Sequence, residues 1–255
     1  MLGKITRYAQ GIWGLKNDDI ILASFPRSGN TWVRFFLCHL ISLSELNGKV
    51  IDFKTLDAIM PELGINNLTK PWIYKTIPRF VKTHKNCWPF FWSKKSVLIV
   101  RDPRDVMVSF YHHHIAKVKP IFSGDFPAFI RHKRLGLPAW FKHYLSWKTQ
   151  CTTIVTYENL QENDVREFSR LLIGVNIHLA SVLIEEAAKR TKFEKIKEIE
   201  KQGGLARPER FKKNYQGTRQ GKIGTWKDYF SNDDIAYYRS LCDKFAVDLK
   251  PYGYF

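Results

Sequence analysis

The chain predicts an α/β fold: one domain over residues 1–255, with a largely parallel central sheet flanked by helices. Two observations carry this reading. Short apolar runs at 19–25, 79–83, 96–101 and 152–157 alternate with helix-patterned stretches, which is the signature of βα units. The 255 residues are 44% hydrophobic and 25% charged, which suits a soluble chain able to bury one full core. No Gly/Ser linker, repeat or low-complexity tract divides it. The longest irregular stretches are around 61–78 and 201–225, with a shorter one at 117–125.

The first element is the apolar strand Ile20-Ile21-Leu22-Ala23, and the stretch from Trp32 to Ile41 reads as the helix that follows it. Between them lies Phe25-Pro26-Arg27-Ser28-Gly29-Asn30-Thr31-Trp32. A strand, a tight loop and a helix N-terminus together make an anion site, because unpaired backbone N–H groups and the positive end of the helix dipole face one point. Arg27 adds a fixed cation, Ser28 and Thr31 add hydroxyls, and Gly29 lets the backbone approach closely. The expected ligand is a phosphate. The loop is not a Walker A sequence, since the first glycine and the lysine of that pattern are both absent.

The second strand leads into Phe80-Val81-Lys82-Thr83-His84-Lys85. On an extended chain Lys82 and His84 point to the same side, and a histidine titrating near neutrality is a suitable general base. The third strand, Val97-Leu98-Ile99-Val100, runs into Arg101-Asp102-Pro103-Arg104-Asp105, where Pro103 takes the first turn of a helix. Arg101 therefore sits at the strand's carboxyl end, where open parallel sheets bind ligands, and Ser109 lies about two turns into the helix. A fourth strand ends in Thr156-Tyr157-Glu158-Asn159. Further on stand Thr191-Lys192-Phe193-Glu194-Lys195-Ile196 and the loop from Gly217 to Lys227, rich in glycine and cations.

These segments, in this order, resemble the PAPS-dependent sulfotransferases (PAPS is 3′-phosphoadenosine-5′-phosphosulfate). The likeness spans residue 20 to about 230 and implies a P-loop-kinase-like three-layer fold. The implied reaction is in-line transfer of a sulfuryl group from PAPS to a hydroxyl or amine, leaving adenosine 3′,5′-bisphosphate and needing no metal. The resemblance makes residues 27–32 (Arg27, Ser28, Gly29, Asn30, Thr31 and Trp32) the 5′-phosphosulfate loop. It assigns Arg101 and Ser109 to the 3′-phosphate, together with the closing loop of Arg219, Gln220 and Gly221. It gives His84 the role of base, with Lys82 and Arg27 offsetting charge on the transferring group and the leaving oxygen. Tyr157, Thr191 and Phe193 fall on the adenine side, with Trp32 and Phe193 sandwiching the base. The chain departs from the pattern at Arg27 and Gln220, where lysines are usual, and at Thr225, where an aspartate is usual. Phe230-Ser231-Asn232-Asp233-Asp234 does not match the dimer segment of the animal cytosolic members, which leaves the oligomeric state open.

Composition bears on the partners. The formal net charge of +17 suits a nucleotide carrying about four negative charges. The excess beyond that fits an anionic acceptor or peripheral contact with acidic lipid headgroups. The acceptor is expected to be a small molecule, a lipid or a carbohydrate. Nucleic acid is not expected, because the charge is spread through every segment and no zinc-finger, basic-zipper or RNA-recognition pattern is present. A nucleotide or small-molecule kinase and an inactive PAPS-binding or sulfated-glycan-binding protein are the alternatives. Cys38, Cys87, Cys151 and Cys242 are singly dispersed, as in a reducing compartment. No signal peptide or spanning segment is visible, so a cytoplasmic location is expected. His112-His113-His114 reads as a solvated or substrate-side basic turn, since adjacent helical residues point about 100° apart and cannot clamp one metal ion. Aromatics and cations interleaved over 61–78, 86–92 and 117–141 (Trp72, Trp88 and Trp140 among them) predict an aromatic and basic acceptor mouth.

Overall fold

The structure is a computed structural model and describes residues 11–218 and 220–254. Four strands form one sheet: β1 (Ile20–Ser24), β2 (Phe80–Thr83), β3 (Ser96–Val100) and β4 (Thr153–Thr156). Their order is β2-β1-β3-β4, and every neighbouring pair is parallel. Ile20 lies opposite Phe80, Ile21 opposite Ser96 and Val97 opposite Thr153. All four carboxyl ends therefore reach the same edge, and the loops that follow them converge there.

The described helices follow in chain order: α1 (Asn30–Glu45), α2 (Phe53–Ile59), α3 (Pro103–Ile115), α4 (Phe126–Arg131), α5 (Leu137–Lys148), α6 (Tyr157–Glu162), α7 (Asp164–Gly174), α8 (Ser181–Arg190), α9 (Phe193–Gly203) and α10 (Asn232–Phe245). β1 and β3 are buried at every position, so each strand serves two cores at once. Ile20 and Leu22 pack with Phe35, Phe36 and Leu40 of α1, Leu56 of α2, Phe168 of α7 and Ala187 of α8. Ile21 and Ala23 point the other way, into Val106 of α3, Phe129 of α4, Phe141 and Trp147 of α5, and Tyr238 of α10. The result is three layers, helices over sheet over helices. Full burial of each such side chain contributes roughly 1.5–3 kcal/mol.

Helix starts explain what is special about the first loop. Asp52, Asp102, Asp125, Asn163 and Ser231 each cap the helix that follows with a side-chain oxygen. α1 begins instead after Gly29 with no side-chain cap, as do α5, α8 and α9, but it alone of these starts from a left-handed glycine, at φ 102°, at the sheet edge. Its N-terminal N–H groups are left to whatever enters from the sheet edge. The buried pair Arg79–Asp19, at 2.7 Å, fixes the approach to β1, and Arg79 also donates to Gly14 O and Leu68 O. That guanidinium holds the middle of the irregular stretch 61–78, while Glu45 accepts from the Lys75 and Thr76 amides further along it. No described helix is long and apolar enough to cross a membrane.

Candidate functional site

A cavity of about 580 Å³ opens at the carboxyl edge of the sheet and draws its lining from the loops after all four strands. After β1, Pro26, Arg27, Gly29, Asn30, Thr31 and Trp32 face it. Arg27 has φ 73°, a left-handed conformation that costs any residue with a Cβ energy unless the surroundings hold it. Gly29 is required twice over. Its φ is positive, and a Cβ there would stand 2.8 Å from the Tyr157 ring. The uncapped start of α1 and the bare Gly29 surface make a cradle that fits a phosphate. Ser28 corrects the expectation of a hydroxyl aimed at the ligand. It is fully buried beneath the loop, away from the cavity lining, and its Oγ has no partner among the described residues. Asn30 turns inward too, donating from Nδ2 to Ser24 Oγ at 3.1 Å.

The second and third segments meet the first. Arg27 Nε donates to Ser109 Oγ at 3.1 Å, and its Nη2 donates to Gly217 O at 2.7 Å. One cation thus ties the first loop to the helix after β3 and to the C-terminal loop. Arg101, buried, stacks on the Tyr157 ring at 4.2 Å and donates to Lys222 O at 2.8 Å, while its Nε has no partner among the described residues. Tyr157 OH donates to Gly221 O at 3.1 Å. Gly217, Thr218, Gln220, Gly221 and Lys222 all line the cavity, and Arg219 lies outside the described residues. Gly221 has φ 66°, and a Cβ there would sit 2.6 Å from the Phe193 ring, so the loop lies directly on that aromatic.

Two carboxylates that sequence reasoning did not single out hold this loop. Glu200 accepts from the Gly217 and Thr218 amides and from the Thr218 hydroxyl. Asp105 accepts from Gly224 N at 2.7 Å, Thr225 Oγ1 at 2.8 Å and Trp226 N at 2.9 Å. The second contact gives Thr225 a physical meaning. A threonine can donate to Asp105, whereas an aspartate there would place two carboxylates against each other. Asp105 carried a faint signal, an acid in the first turn of the helix after Arg101. Glu200 carried none.

Trp32, Tyr157 and Phe193 line the same cavity, with Trp32 meeting Tyr157 edge-on at 5.8 Å. Thr191 does not join them. It is fully buried behind the wall, and its hydroxyl donates to Ala188 O at 2.9 Å, finishing α8. It supports the Phe193 turn and does not line the pocket.

His84 and Lys82 both face the cavity from β2 and its end. The carbonyl of Ser24 lies 2.8 Å from His84 Nδ1 and can only accept, so Nδ1 carries the proton and Nε2 keeps a lone pair. Burial, then the Lys82 charge, pushes the His84 pKa down to about 4, against an opposing pull from Glu62. The ring is therefore neutral at physiological pH and a weaker base than the near-neutral histidine expected from the sequence. Lys82 Nζ donates to Glu62 Oε2 at 2.9 Å, a partner not anticipated from the sequence. Burial lowers the Lys82 pKa, and Glu62 works against that. Glu62 is itself placed by Asn66, whose Oδ1 accepts from the Glu62 amide at 2.8 Å.

The three histidines of α3, expected as a solvated or substrate-side basic turn, divide: His113 lies on the cavity side and His114 in the core. His113 lines the cavity with Nδ1 2.6 Å from the Tyr215 hydroxyl, and burial followed by the Arg27 charge pushes its pKa to about 2. His114 is fully buried, accepts from Ile121 N at 3.1 Å, and is lowered by burial. His112 meets the Tyr229 hydroxyl at 2.9 Å. The three side chains face three different partners, and two of them are held neutral.

The predicted acceptor mouth is also corrected. Of the stretches 61–78, 86–92 and 117–141, only Glu62, Ile65 and Lys117 reach the cavity. Phe91, Phe126, Phe129, Trp140 and Phe141 are core, and Trp88 and Trp92 are exposed elsewhere. The aromatic and basic lining outside the nucleotide segments comes instead from Phe53, Phe110, Phe211 and Tyr215, with Arg207 and Arg210. Phe211 and Tyr215 stack at 4.4 Å, and Val118 N donates to Arg210 O while Lys212 N donates to Ala116 O. That short antiparallel bridge pins the irregular stretch after α9 over the end of α3.

Comparison with known proteins agrees with this geometry. A family model described as the sulfotransferase domain matches residues 17–250. Sulfotransferase 1B1 of Canis lupus familiaris is 26% identical over 232 residues, covering 84% of this chain and 78% of that protein. Sulfotransferase 1E1 of Homo sapiens is 27% identical over 236 residues, covering 84% and 79%. Among solved structures, a retinol dehydratase in complex with retinol and PAP superposes with a TM-score of 0.73 at 19% identity, covering 96% of this chain and 86% of that one. Mouse sulfotransferase SULT7A1 complexed with PAP gives 0.67 at 19% identity, covering 96% and 92%.

Proposed function

The chain belongs to the sulfotransferase domain family, and from that premise we propose that it transfers a sulfuryl group from PAPS to the hydroxyl or amine of a small-molecule acceptor, with His84 as the base. The observation that carries this reading is the convergence at one cavity of three groups. These are the uncapped α1 N-terminus, the Arg27–Ser109–Gly217 tie and the unprotonated Nε2 of His84.

The residues divide the work. The start of α1, with Gly29, Asn30 and Thr31, holds the 5′ side of the nucleotide through backbone N–H groups and the helix dipole. Arg101, Ser109 and the loop with Gln220 and Gly221 hold the 3′-phosphate, and Arg219 is assigned there with them. Trp32 and Phe193 offer the adenine two π faces. His84 Nε2 takes the proton from the acceptor hydroxyl as the acceptor oxygen bonds to sulfur. The bond from sulfur to the phosphate oxygen breaks, and its electron pair leaves on adenosine 3′,5′-bisphosphate. Arg27 offsets charge on that leaving oxygen and Lys82 on the group in flight, both fixed in place before reaction. The four cysteines are all free, which supports a cytoplasmic setting.

Thermal denaturation tests the nucleotide. Adenosine 3′,5′-bisphosphate at a hundred times its dissociation constant stabilises the protein by about 2.7 kcal/mol. AMP at the same concentration does far less, because it offers Arg101 and Ser109 no 3′-phosphate. Equal shifts for the two ligands would remove the 3′-phosphate assignment.

A second test separates sulfuryl from phosphoryl transfer. A phosphoryl group in flight carries more negative charge than a sulfuryl group, and kinases offset it with Mg²⁺. Fixed cations such as Arg27 and Lys82 suffice for the smaller charge, so turnover with PAPS continues in excess EDTA. Loss of activity with chelator, restored by Mg²⁺ and ATP, would establish a kinase instead.

A further inference from the structure

Among its described residues the cavity is lined by eight Lys and Arg side chains and only two carboxylates, Asp57 and Glu62. Both acids are already engaged. Asp57 pairs with Arg34 at 2.9 Å and stands 3.8 Å from Arg207, and Glu62 pairs with Lys82 at 2.9 Å. The lining keeps a net charge near +6, and the nucleotide brings about four negative charges. About two positive charges are left over.

Their place is identifiable. Arg27, Arg101 and Lys222 lie with the nucleotide segments, and Lys117 and Arg210, which form no ion pair among the described residues, face the cavity away from them in sequence. The bridge that joins residues 116–118 to 210–212 holds their backbones side by side. Two like charges brought together in this way repel, and the Lys117 pKa is lowered by burial and then by Arg210. His113, the cavity-facing neighbour that feels Lys117, Arg27 and His84, is neutral and cannot relieve them. Phe211, within the same bridge, meets the His113 ring at 5.1 Å and stacks on Tyr215, so a flat apolar wall lies beside the charges.

Resting on the transfer reading above, we propose that the acceptor is an anion: a hydroxyl-bearing compound whose carboxylate, sulfate or phosphate is held by Lys117 and Arg210 while its ring lies against Phe211 and Tyr215. The anion supplies the missing countercharge, and the two cations, carried on the bridged backbone of residues 116–118 and 210–212, orient the hydroxyl toward His84.

The test uses three phenols that share one reacting hydroxyl: 3-(4-hydroxyphenyl)propionate, its methyl ester, and 4-hydroxyphenyl phosphate. Product is read by mass as kcat/KM. The carboxylate and phosphate arms distinguish the two sources of charge. At least one of them exceeds the neutral ester by tenfold or more in the native protein. In the Lys117→Met/Arg210→Gln double variant that ratio falls at least tenfold. The ratio is internal to each preparation, so partial loss of folded enzyme does not mimic the result. As a check without substitution, raising the salt concentration lowers the native ratio by screening the anion. Equal kcat/KM for ester and anions, or a preference that survives both the double variant and salt, would overturn the proposal. Absence of any transfer, with adenosine 3′,5′-bisphosphate failing to bind, would overturn the transfer reading instead. The same three compounds are then titrated against the protein by calorimetry, where equal affinities would overturn the anion site as well.

Discussion

Replacement of His84 by alanine lowers sulfuryl transfer by roughly two to four orders of magnitude, the usual worth of a positioned base. Affinity for adenosine 3′,5′-bisphosphate stays close to normal, because the nucleotide grips belong to other residues. The pH profile gives a second, independent signature. With its pKa pushed to about 4 by burial and Lys82, His84 is already neutral well below pH 6. The acid limb of kcat/KM that belongs to His84 therefore falls near pH 4, not at the ordinary histidine value of about 6.5. Steady-state rates of native and His84→Ala protein across pH check both points. A variant with near-native turnover would end the base assignment, and an acid limb centred at 6.5 would show that the ring is more solvated than its surroundings imply.

The same stretch illustrates what the sequence makes legible. The central strands β1 and β3 could be read because each carries a contiguous apolar run serving two cores and is buried at all five positions. A parallel sheet then places every strand's carboxyl end on one edge, so Arg27, His84, Arg101 and Tyr157 meet there without further information. Partners that arise from distant parts of the chain were not legible. Glu62 reaches Lys82 from an irregular stretch, and Asp105 binds residues 119 to 121 positions further on. Nothing in the local spacing of those acids marks the contact.

The acceptor mouth shows a different limit. Aromatic residues in loops were read as lining, but Phe126, Phe129 and Trp140 satisfy helix-packing positions first. Phe53, Phe211 and Tyr215, with less local aromatic company, are the ones that reach the cavity. Ser28 and Thr191 show that a family position carries a place along the chain more securely than a side-chain direction. One hydroxyl lies under its loop, and the other closes a helix.

His39, which no functional reading invoked, carries the second large effect. It lies on α1, is only 3% exposed, and neither ring nitrogen has a hydrogen-bond partner among the described residues. Burial, then the charges of Arg190 and Lys195, pushes its pKa to about 4. The folded chain thus resists protonating a ring that the unfolded chain protonates below about pH 6.5. The sign follows from linkage. Stability is full above 6.5, declines as pH falls because the unfolded state binds more protons, and levels off below about 4. At about 1.4 kcal/mol per pH unit, this one ring withdraws about 2 kcal/mol by pH 5. His39→Leu removes the titrating group and both orphaned nitrogens while keeping similar bulk, so it is neutral or mildly stabilising at pH 7.5. At pH 5 its advantage over the native chain grows by about 2 kcal/mol, or roughly 4–8 °C in melting temperature for a domain of this size. Paired melts at the two pH values measure the difference. If native and His39→Leu proteins lost stability equally on acidification, His39 would have no part in the acid response, and the loss would belong to other buried groups such as His143, whose pKa burial pushes to about 3.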